Sequence, residues 1–374
     1  MNPKEKVIVV TWFYKDSPGW LDYRYRVSSI RERYDYLLVS NLREAQIELE
    51  VPDDSFHLLC GENTNFYYYW FYWLKVFFLL FKYKDNKVVF LSSFFAPMSS
   101  LFFLKRYILY WNEHPTHAYP DEGHFFKRIK NNIMLKLSYR GAKYANPVMP
   151  ISIFQKDDLI AHGVKSDCIS LIPMGVQDSF INHNDSDKEY DCNLALEIIY
   201  TGTVVRDRGR DVMLEALSII KNTDIKIHLT MVGATPDQIA LCSNLIDEYD
   251  ISGFVTINGR VSGDLIPTIL HKADLGICIW DDKPYWKFNP PTKLFEYLVA
   301  GLPVLVSRIR THTEYVENKY SGIVFDYNAN SLATALCYVW ENRERLSEWK
   351  ENAKVEGNKY LWRNIEPDFL VAID

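Results

Sequence analysis

The chain has 374 residues, enough for two domains of ordinary size. With 48% hydrophobic and 24% charged residues it has a globular balance that excludes wholesale disorder, and 16 Gly with 16 Pro exclude a collagen-like or low-complexity chain. The net charge is −6; the first 180 residues hold 22 basic and 19 acidic side chains and the remainder 20 and 29, so neither half is basic enough to make nucleic acid the main partner.

Short apolar runs alternate with longer helical patterns, twice over, which is the pattern of parallel sheets with crossover helices. KVIVVTWFY (6–14) reads as a buried strand, followed by a helix over 21–33 and strands DYLLVS (35–40) and SFHLLC (55–60). FYYYWFYWLKVFFLLF (66–81) is a helix of 16 residues interrupted by Lys75. It falls short of the ~20 apolar residues needed to span a bilayer. Two readings stay open for it: a helix buried on a sheet, or one whose aromatic face dips into a membrane surface, where Tyr and Trp are favoured. Strands KVVFLSS (87–93) and RYILYWN (106–112) follow, then a basic helix over 125–144, a strand PVMPIS (147–152), a helix to His162 and a strand CISLIPM (168–174). Residues 181–194 are polar and aperiodic and read as an interdomain linker.

The alternation then restarts. Strands are expected at 197–204, 225–233, 254–259, 274–280 and 302–307, with helices at 208–220, 236–249, 264–273 and 292–301, the last ended by Gly301. The tail from 341 is helical. This is an α/β chain of two doubly wound domains, whose ligands belong at the carboxyl ends of the strands. The six cysteines, at 60, 168, 192, 242, 278 and 337, are scattered without a C-x-x-C, so neither a disulfide framework nor a zinc site is expected and a reducing cytoplasm fits. The start MNPKEKVIVV lacks the layout of a signal peptide.

The most informative stretch is FNPPTKLFEYLVAGLPVLVS (288–307). A Pro-rich loop leads into a helix that Thr292 can cap, and a helix N-terminus of this kind binds phosphate. Glu296 shares a face with Thr292 and Lys293, where a carboxylate can accept hydrogen bonds from a ribose diol; an ordinary amphipathic helix with a surface glutamate is the alternative. In YTGTVVRDRGRD (200–211), Gly202 frees the backbone at a strand end, and Arg206 and Arg208 suit a diphosphate unless they are solvated surface charges. Gly259, after the strand at 254–259, suggests close approach by a flat ligand such as a base, or a plain turn.

In the first half, YWNEHPTHAYPDEGH (110–124) places Glu113 and His114 just past a strand, where catalytic groups sit in such sheets. His114, His117 and His124 with Asp121 and Glu122 match no zinc spacing, and hydrogen-bonded structural roles are expected for His117 and His124. Asp281–Asp282 could hold a metal–nucleotide, but the helix end and the arginines can handle a diphosphate without metal, so no metal is expected.

These residues, in this order, resemble the retaining, nucleotide-sugar-dependent glycosyltransferases of family 4 (glycosyl transferases group 1). The resemblance rests on YTGTVVRDRG, MVGATPD, INGRVSGDLIPTILHKADLGICI, PTKLFEYLVAGLPVLVS and SGIVFD, and more loosely on ISIFQKDDLIAHGVKSDCISLIPMGVQDSF (151–180). It implies the GT-B fold: two Rossmann-like domains facing a central cleft, an acceptor-binding domain over 1–180 joined by a C-terminal helix at 359–374, and a donor-binding domain over 195–358. It assigns the donor ribose to Glu296 and the diphosphate to Arg208 and the backbone of Pro291, Thr292 and Lys293. Gly202, Thr203, Arg206 and Asn289 complete the donor site, with the base against Gly259, Arg260 and Val261. His114 maps to the histidine near the reacting sugar, with Glu113 as its rival. The chain departs from the family at Phe288, where many members have a glutamate, at Thr203, where an arginine is frequent and Arg206 stands in, and in lacking a glycine-rich loop after the first strand.

The resemblance thus implies transfer of a hexosyl group, with retention, from a nucleotide-diphosphate sugar to a glycan or lipid-linked acceptor. The nucleotide sugar is a co-substrate, with no metal or other cofactor and no nucleic acid. Together with the aromatic and basic helices, the habits of the family point to capsule or lipopolysaccharide synthesis by a cytoplasmic protein with peripheral contact at the inner membrane surface. The alternative is a catalytically silent nucleotide-binding partner of another transferase, which Phe288 would mark. An epimerase or phosphorylase on the same fold is a third reading without a motif of its own.

Overall fold

A computed structural model describes residues 5–13, 20–59, 66–99, 107–182 and 194–374. The expected linker at 181–194 lies, but for its ends, outside the described residues, as do Cys60, Cys192 and most of the loop after the first strand. The chain forms two compact units, 1–174 with 365–374, and 175–364.

The first unit holds a six-stranded parallel sheet in the order β3-β2-β1-β4-β5-β6. Its strands are β1 Lys6–Val10, β2 Asp35–Ser40, β3 Phe56–Leu58, β4 Lys87–Phe90, β5 Tyr107–Trp111 and β6 Val148–Pro150. Parallel sheets are covered on both faces, which is why these strands are near-continuous apolar runs. Register places Ile8 beside Leu37 and Val88, and Phe90 beside Leu109, so these residues share one face. The aromatic helix Phe66–Lys82 covers that face through Tyr72, Trp73, Val76 and Leu80, and the basic helix Phe125–Tyr144 through Tyr139 and Ala142.

The segment 168–174 is not the strand that its apolar pattern suggests. Ile169 makes an isolated bridge to Val148, and the N–H groups of Ser170 and Ile172 donate to Val148 and Pro150 at 3.0 and 2.9 Å. Pro150 has no N–H to return and Pro173 none to continue with, so the ladder stops. The first unit ends at Met174, since Val176 N–H donates to the Tyr360 carbonyl (2.8 Å) and Trp362 N–H to the Val176 carbonyl (2.8 Å), tying 175–180 into the second unit.

The second unit repeats the architecture as β12-β11-β10-β7-β8-β9. Its strands are β7 Leu196–Thr201, β8 Ile227–Ala234, β9 Val255–Gly259, β10 Leu275–Cys278, β11 Val304–Ser307 and β12 Gly322–Phe325. β12 and the following helix Ala329–Glu341, whose N-cap Asn328 accepts from Ser331 N–H at 2.8 Å, were not foreseen as elements. The chain runs outward from β7 through β8 and β9, then returns to the other side of β7 with β10. The crevice between the carboxyl ends of β7 and β10 is therefore the topological switch point, where ligands bind in such sheets. The last helix, Trp362–Ile373, begins in the second unit and from Ile365 onward belongs to the first. There Glu366 accepts from the Ser29 hydroxyl at 2.5 Å.

Candidate functional site

The switch point of the second unit is built from glycines, aromatics and cations. Gly202 follows β7 with φ +119°, and Gly233, also at +119°, lies so close that a Cβ on it would meet the Gly202 carbonyl oxygen at 2.6 Å. Only glycine meets both demands at these positions. The turn Arg206–Arg208 follows, closed by Gly209 at φ +79° before the helix Arg210–Ile220. A Cβ on Gly209 would lie 2.6 Å from Ile279, so this turn packs directly against the end of β10.

Arg208 is carried over two stacked indoles: its guanidinium carbon is 5.4 Å from the Trp280 ring and 5.2 Å from Trp286, whose rings lie 3.9 Å apart. It makes no ion pair among the described residues. Arg206 is different. It is exposed and faces Asp211 at 3.6 Å, as a solvated surface charge does. Thr203 is half-buried and its carbonyl accepts from the Tyr200 hydroxyl at 2.8 Å.

The helix Thr292–Val299 points its N-terminus at the same place, but Thr292 does not cap it. Pro291 holds the extended cap position (φ −76°, ψ 131°) and Thr292 is already helical, so no side chain at the cap accepts from the first turn. The helix is anchored by Tyr297, whose hydroxyl accepts the Thr201 N–H at 2.7 Å and thereby fixes it to the end of β7. Gly276 on β10 makes room, since a Cβ there would lie 2.4 Å from the Tyr297 ring.

Lys293 is the unusual member. Its side chain is buried, with 7% exposure, and Nζ lies 3.6 Å from the centre of the Tyr200 ring with no hydrogen-bond partner among the described residues. Burial pushes its pKa down to about 7, and the nearby Arg208 charge pushes the same way. A Cβ on Gly202 would meet this Nζ at 3.4 Å, which places the lysine directly beneath the β7 turn. Glu296, one turn further along, is pushed up to about 7 by burial against the opposing pull of Lys293. A buried cation without a hydrogen-bond partner among the described residues, a second cation on an aromatic platform and a helix N-terminus thus converge on one crevice. That set can receive an anion of more than one charge.

The loop before this helix was not read from sequence as part of the site beyond Asn289 and Phe288. Ser307 Oγ accepts from Trp280 N–H (2.9 Å) and donates to its carbonyl (2.8 Å), and Thr311 Oγ1 donates to the Trp286 carbonyl (2.6 Å). Asn289 and Pro291 are buried, and the Arg310 guanidinium lies 4.4 Å from the Phe288 ring. Trp280, Trp286 and Arg310 carry no motif; the signal available was two tryptophans flanking a strand end and a Pro-rich turn. Gly259 ends β9, one strand beyond β8, and Arg260 and Val261 follow it, all exposed or half-buried. A Cβ on Gly259 would find only the Ala234 carbonyl, at 3.9 Å, so nothing in the protein demands glycine there.

In the first unit His114 is buried and caps a short turn by accepting from Thr116 N–H. Its Nδ1 lies 2.7 Å from Thr116 Oγ1, and its Nε2 lies 3.2 Å from both Asp158 and the Tyr139 hydroxyl, which itself donates to Asp158 at 2.7 Å. Burial raises the Asp158 carboxyl, but the hydrogen bonds from His114 and Tyr139 outweigh it and hold the group below its ordinary range. Glu113 pairs with His117 at the surface, Asp121 forks onto Arg128 (2.8 and 3.1 Å), and His124 caps the basic helix. Among the described residues no group of three His, Cys, Asp or Glu is arranged to hold a metal ion.

Two doubly wound Rossmann-like units, each with the same strand order, define a GT-B fold, and solved structures share it along the whole chain. HepE of Anabaena, in complex with UDP, is 13% identical with a TM-score of 0.76 and 98% of each chain covered. A glycosyltransferase from Rickettsia africae is 17% identical with a TM-score of 0.73, covering 99% of this chain and 98% of its own. WaaG, a glycosyltransferase involved in lipopolysaccharide biosynthesis, is 16% identical with a TM-score of 0.73, covering 97% and 99%. Residues 193–356, most of the second unit, match the family model described as glycosyl transferases group 1. No curated protein matches the sequence.

Proposed function

We propose that the protein is a retaining glycosyltransferase that moves a hexosyl group from a nucleotide-diphosphate sugar to a glycan or lipid-linked acceptor. The observation that carries this is Lys293. An ammonium buried at a topological switch point with no hydrogen-bond acceptor among the described residues costs stability unless a ligand supplies one, and the helix N-terminus beside it favours an anion. A diphosphate fits that demand. HepE binds UDP, UDP-glucose and UDP with glucose, which favours a uridine diphosphate donor here.

In this reading Arg208, Lys293 and the first turn from Pro291 to Lys293 hold the diphosphate. They stabilise the negative charge that builds as it departs from an oxocarbenium-like centre. Glu296 accepts from the ribose, and the base lies against Gly259–Val261. Gly202 and Thr203 admit the donor, Asn289 shapes the sugar end, and Arg206 acts from the rim. The protein's own cations take the place of a metal ion. In the first unit Glu113, at the surface, serves the acceptor, and His114, held between Thr116 and Asp158, positions the loop that carries it. The pathway is the synthesis of a bacterial surface polysaccharide, capsule or lipopolysaccharide, on the cytoplasmic face of the membrane.

The test is thermal denaturation with UDP, GDP, ADP, CMP and their sugar conjugates, with and without magnesium. A ligand that binds only the folded state at ~100 times its Kd adds ~2.7 kcal/mol of stability. One diphosphate should raise the Tm, without magnesium, in the parent and not in Glu296→Ala. No shift with any nucleotide removes the donor site as drawn. A silent partner subunit, the reading that Phe288 favours, would show the shift but no sugar transfer or donor hydrolysis.

A further inference from the structure

The aromatic helix Phe66–Lys82 and the basic helix Phe125–Tyr144 both pack on the same face of the first unit's sheet, so their outer faces share one side of that unit. Neither outer face is that of an ordinary surface helix. On the aromatic helix Phe71, Leu74, Phe78 and Phe81 are 49–63% exposed, and their spacing of three and four residues lines them up as one stripe. This stripe lies opposite Tyr72, Trp73, Val76 and Leu80, so the helix is apolar on its packed side and apolar again on its open side. The basic helix carries a second stripe in its first half, Phe125, Phe126, Ile129 and Ile133, exposed by 43–76%. Scattered exposed apolar residues need no explanation, but eight large ones in two aligned stripes do.

Charge identifies what covers them. The two helices together hold eight basic residues and no acidic one, in a chain whose net charge is −6. In the second half of the basic helix Lys136, Arg140 and Lys143 are exposed, fall on the same face as the apolar stripe, and make no ion pair among the described residues. A second copy of the chain would bring like charges together on this surface, which disfavours self-association. An apolar stripe bordered by unpaired cations matches the interface of an anionic bilayer, where aromatic side chains enter the headgroup boundary and Lys and Arg meet lipid phosphates. Among the described residues no helix is long and apolar enough to cross a membrane.

We propose that the face formed by Phe71, Leu74, Phe78 and Phe81 with Phe126, Ile129 and the Lys136–Arg140–Lys143 cluster docks the first unit onto an anionic lipid bilayer. This deepens the acceptor side of the function proposed above and rests on it for its purpose. The docking itself requires no donor, so the two can fail separately.

The experiment is flotation of the full chain with vesicles of phosphatidylcholine alone and of phosphatidylcholine with a third phosphatidylglycerol, at 0.05–0.5 M salt. The protein should float with the anionic vesicles at low salt and not with the neutral ones. Lys136→Glu/Arg140→Glu/Lys143→Glu should lower the partition at least ~tenfold, as expected for cations near a charged surface. Phe78→Ser/Phe126→Ser, two exposed positions that leave the packed side intact, should lower it by a similar factor. Both variants should keep the parent's Tm and its nucleotide-induced shift, which separates loss of docking from misfolding and from failure of the donor site. Absence of flotation with anionic vesicles overturns the proposal. So does flotation that the two Phe substitutions leave unchanged, since charge alone would then explain it, or a dimer in solution that they convert to a monomer.

Discussion

The two units each bury a cation, and the contrast between them separates architecture from function. Arg26, on the helix Trp20–Arg33 that follows β1, is fully buried and has its counter-charge: Nε and Nη2 reach Asp22 through two contacts of 3.1 Å, and Nη2 also reaches the Tyr110 hydroxyl at 2.9 Å and the Pro173 carbonyl at 3.1 Å. Nη1 is the one guanidinium nitrogen without a hydrogen-bond acceptor among the described residues. Its guanidinium also lies 4.0 Å from the Tyr110 ring. Lys293 is almost as buried and has an aromatic face but no acceptor. The units share one strand order, so topology cannot be the cause. A satisfied buried charge belongs to the fold, whereas an unsatisfied one marks a place kept for something else.

The comparison breaks first at Asp22. Asp22→Ala strands the Arg26 charge, and unfolding monitored by urea should show the first unit weakened by ~3–5 kcal/mol. A loss below about 1 kcal/mol would mean that Arg26 finds other partners and is no model of a satisfied cation. Lys293→Met should do the reverse. Without ligand the Tm should rise by ~2–4 °C, the response to about 1 kcal/mol in a domain of this size. Affinity for the nucleotide diphosphate should fall by a factor of about 10 to 100, the worth of a charged hydrogen bond. If calorimetry finds the free protein destabilised instead, the lysine is structural after all.

The contrast also shows in the pH dependence. Lys293 titrates near 7 in the folded state against an ordinary 10.5, so between these values the unfolded chain binds more protons and stability rises with pH. Glu296 titrates near 7 against an ordinary 4.5, so between 4.5 and 7 the folded chain binds more protons and stability falls as pH rises. Together they give the ligand-free second unit a minimum near pH 7. Lys293→Met should abolish the rise on the alkaline side and Glu296→Gln the fall on the acid side. Diphosphate affinity should decline above pH 7 as Lys293 loses its proton, and a titration from pH 6 to 9 reads it directly.

Much of the fold was legible in the sequence because parallel strands buried on both faces are uninterrupted apolar runs between polar turns. The basic helix came out with both ends right at 125–144, since all of its first turn is polar or exposed and its cap precedes it. Failures trace to single residues. Pro150 and Pro173 cut short the strand anticipated at 168–174, and Pro291 took the cap position expected of Thr292. Of the site, Gly202, Arg208, Lys293 and Glu296 were marked by motif and spacing. The indole pair of Trp280 and Trp286 was not, because its partners meet only when the loop before the helix folds back under Ser307 and Thr311. The isolation of Lys293 could not be read at all, since having no partner is a property of three dimensions.

The last helix has a consequence for synthesis. Residues 365–374 complete the first unit, yet they leave the ribosome only after all of the contiguous second unit. The second unit can therefore mature on the growing chain. The half begun earlier must wait with Ser29, Arg33 and Tyr34 uncovered until Glu366 and Asp374 arrive to meet them.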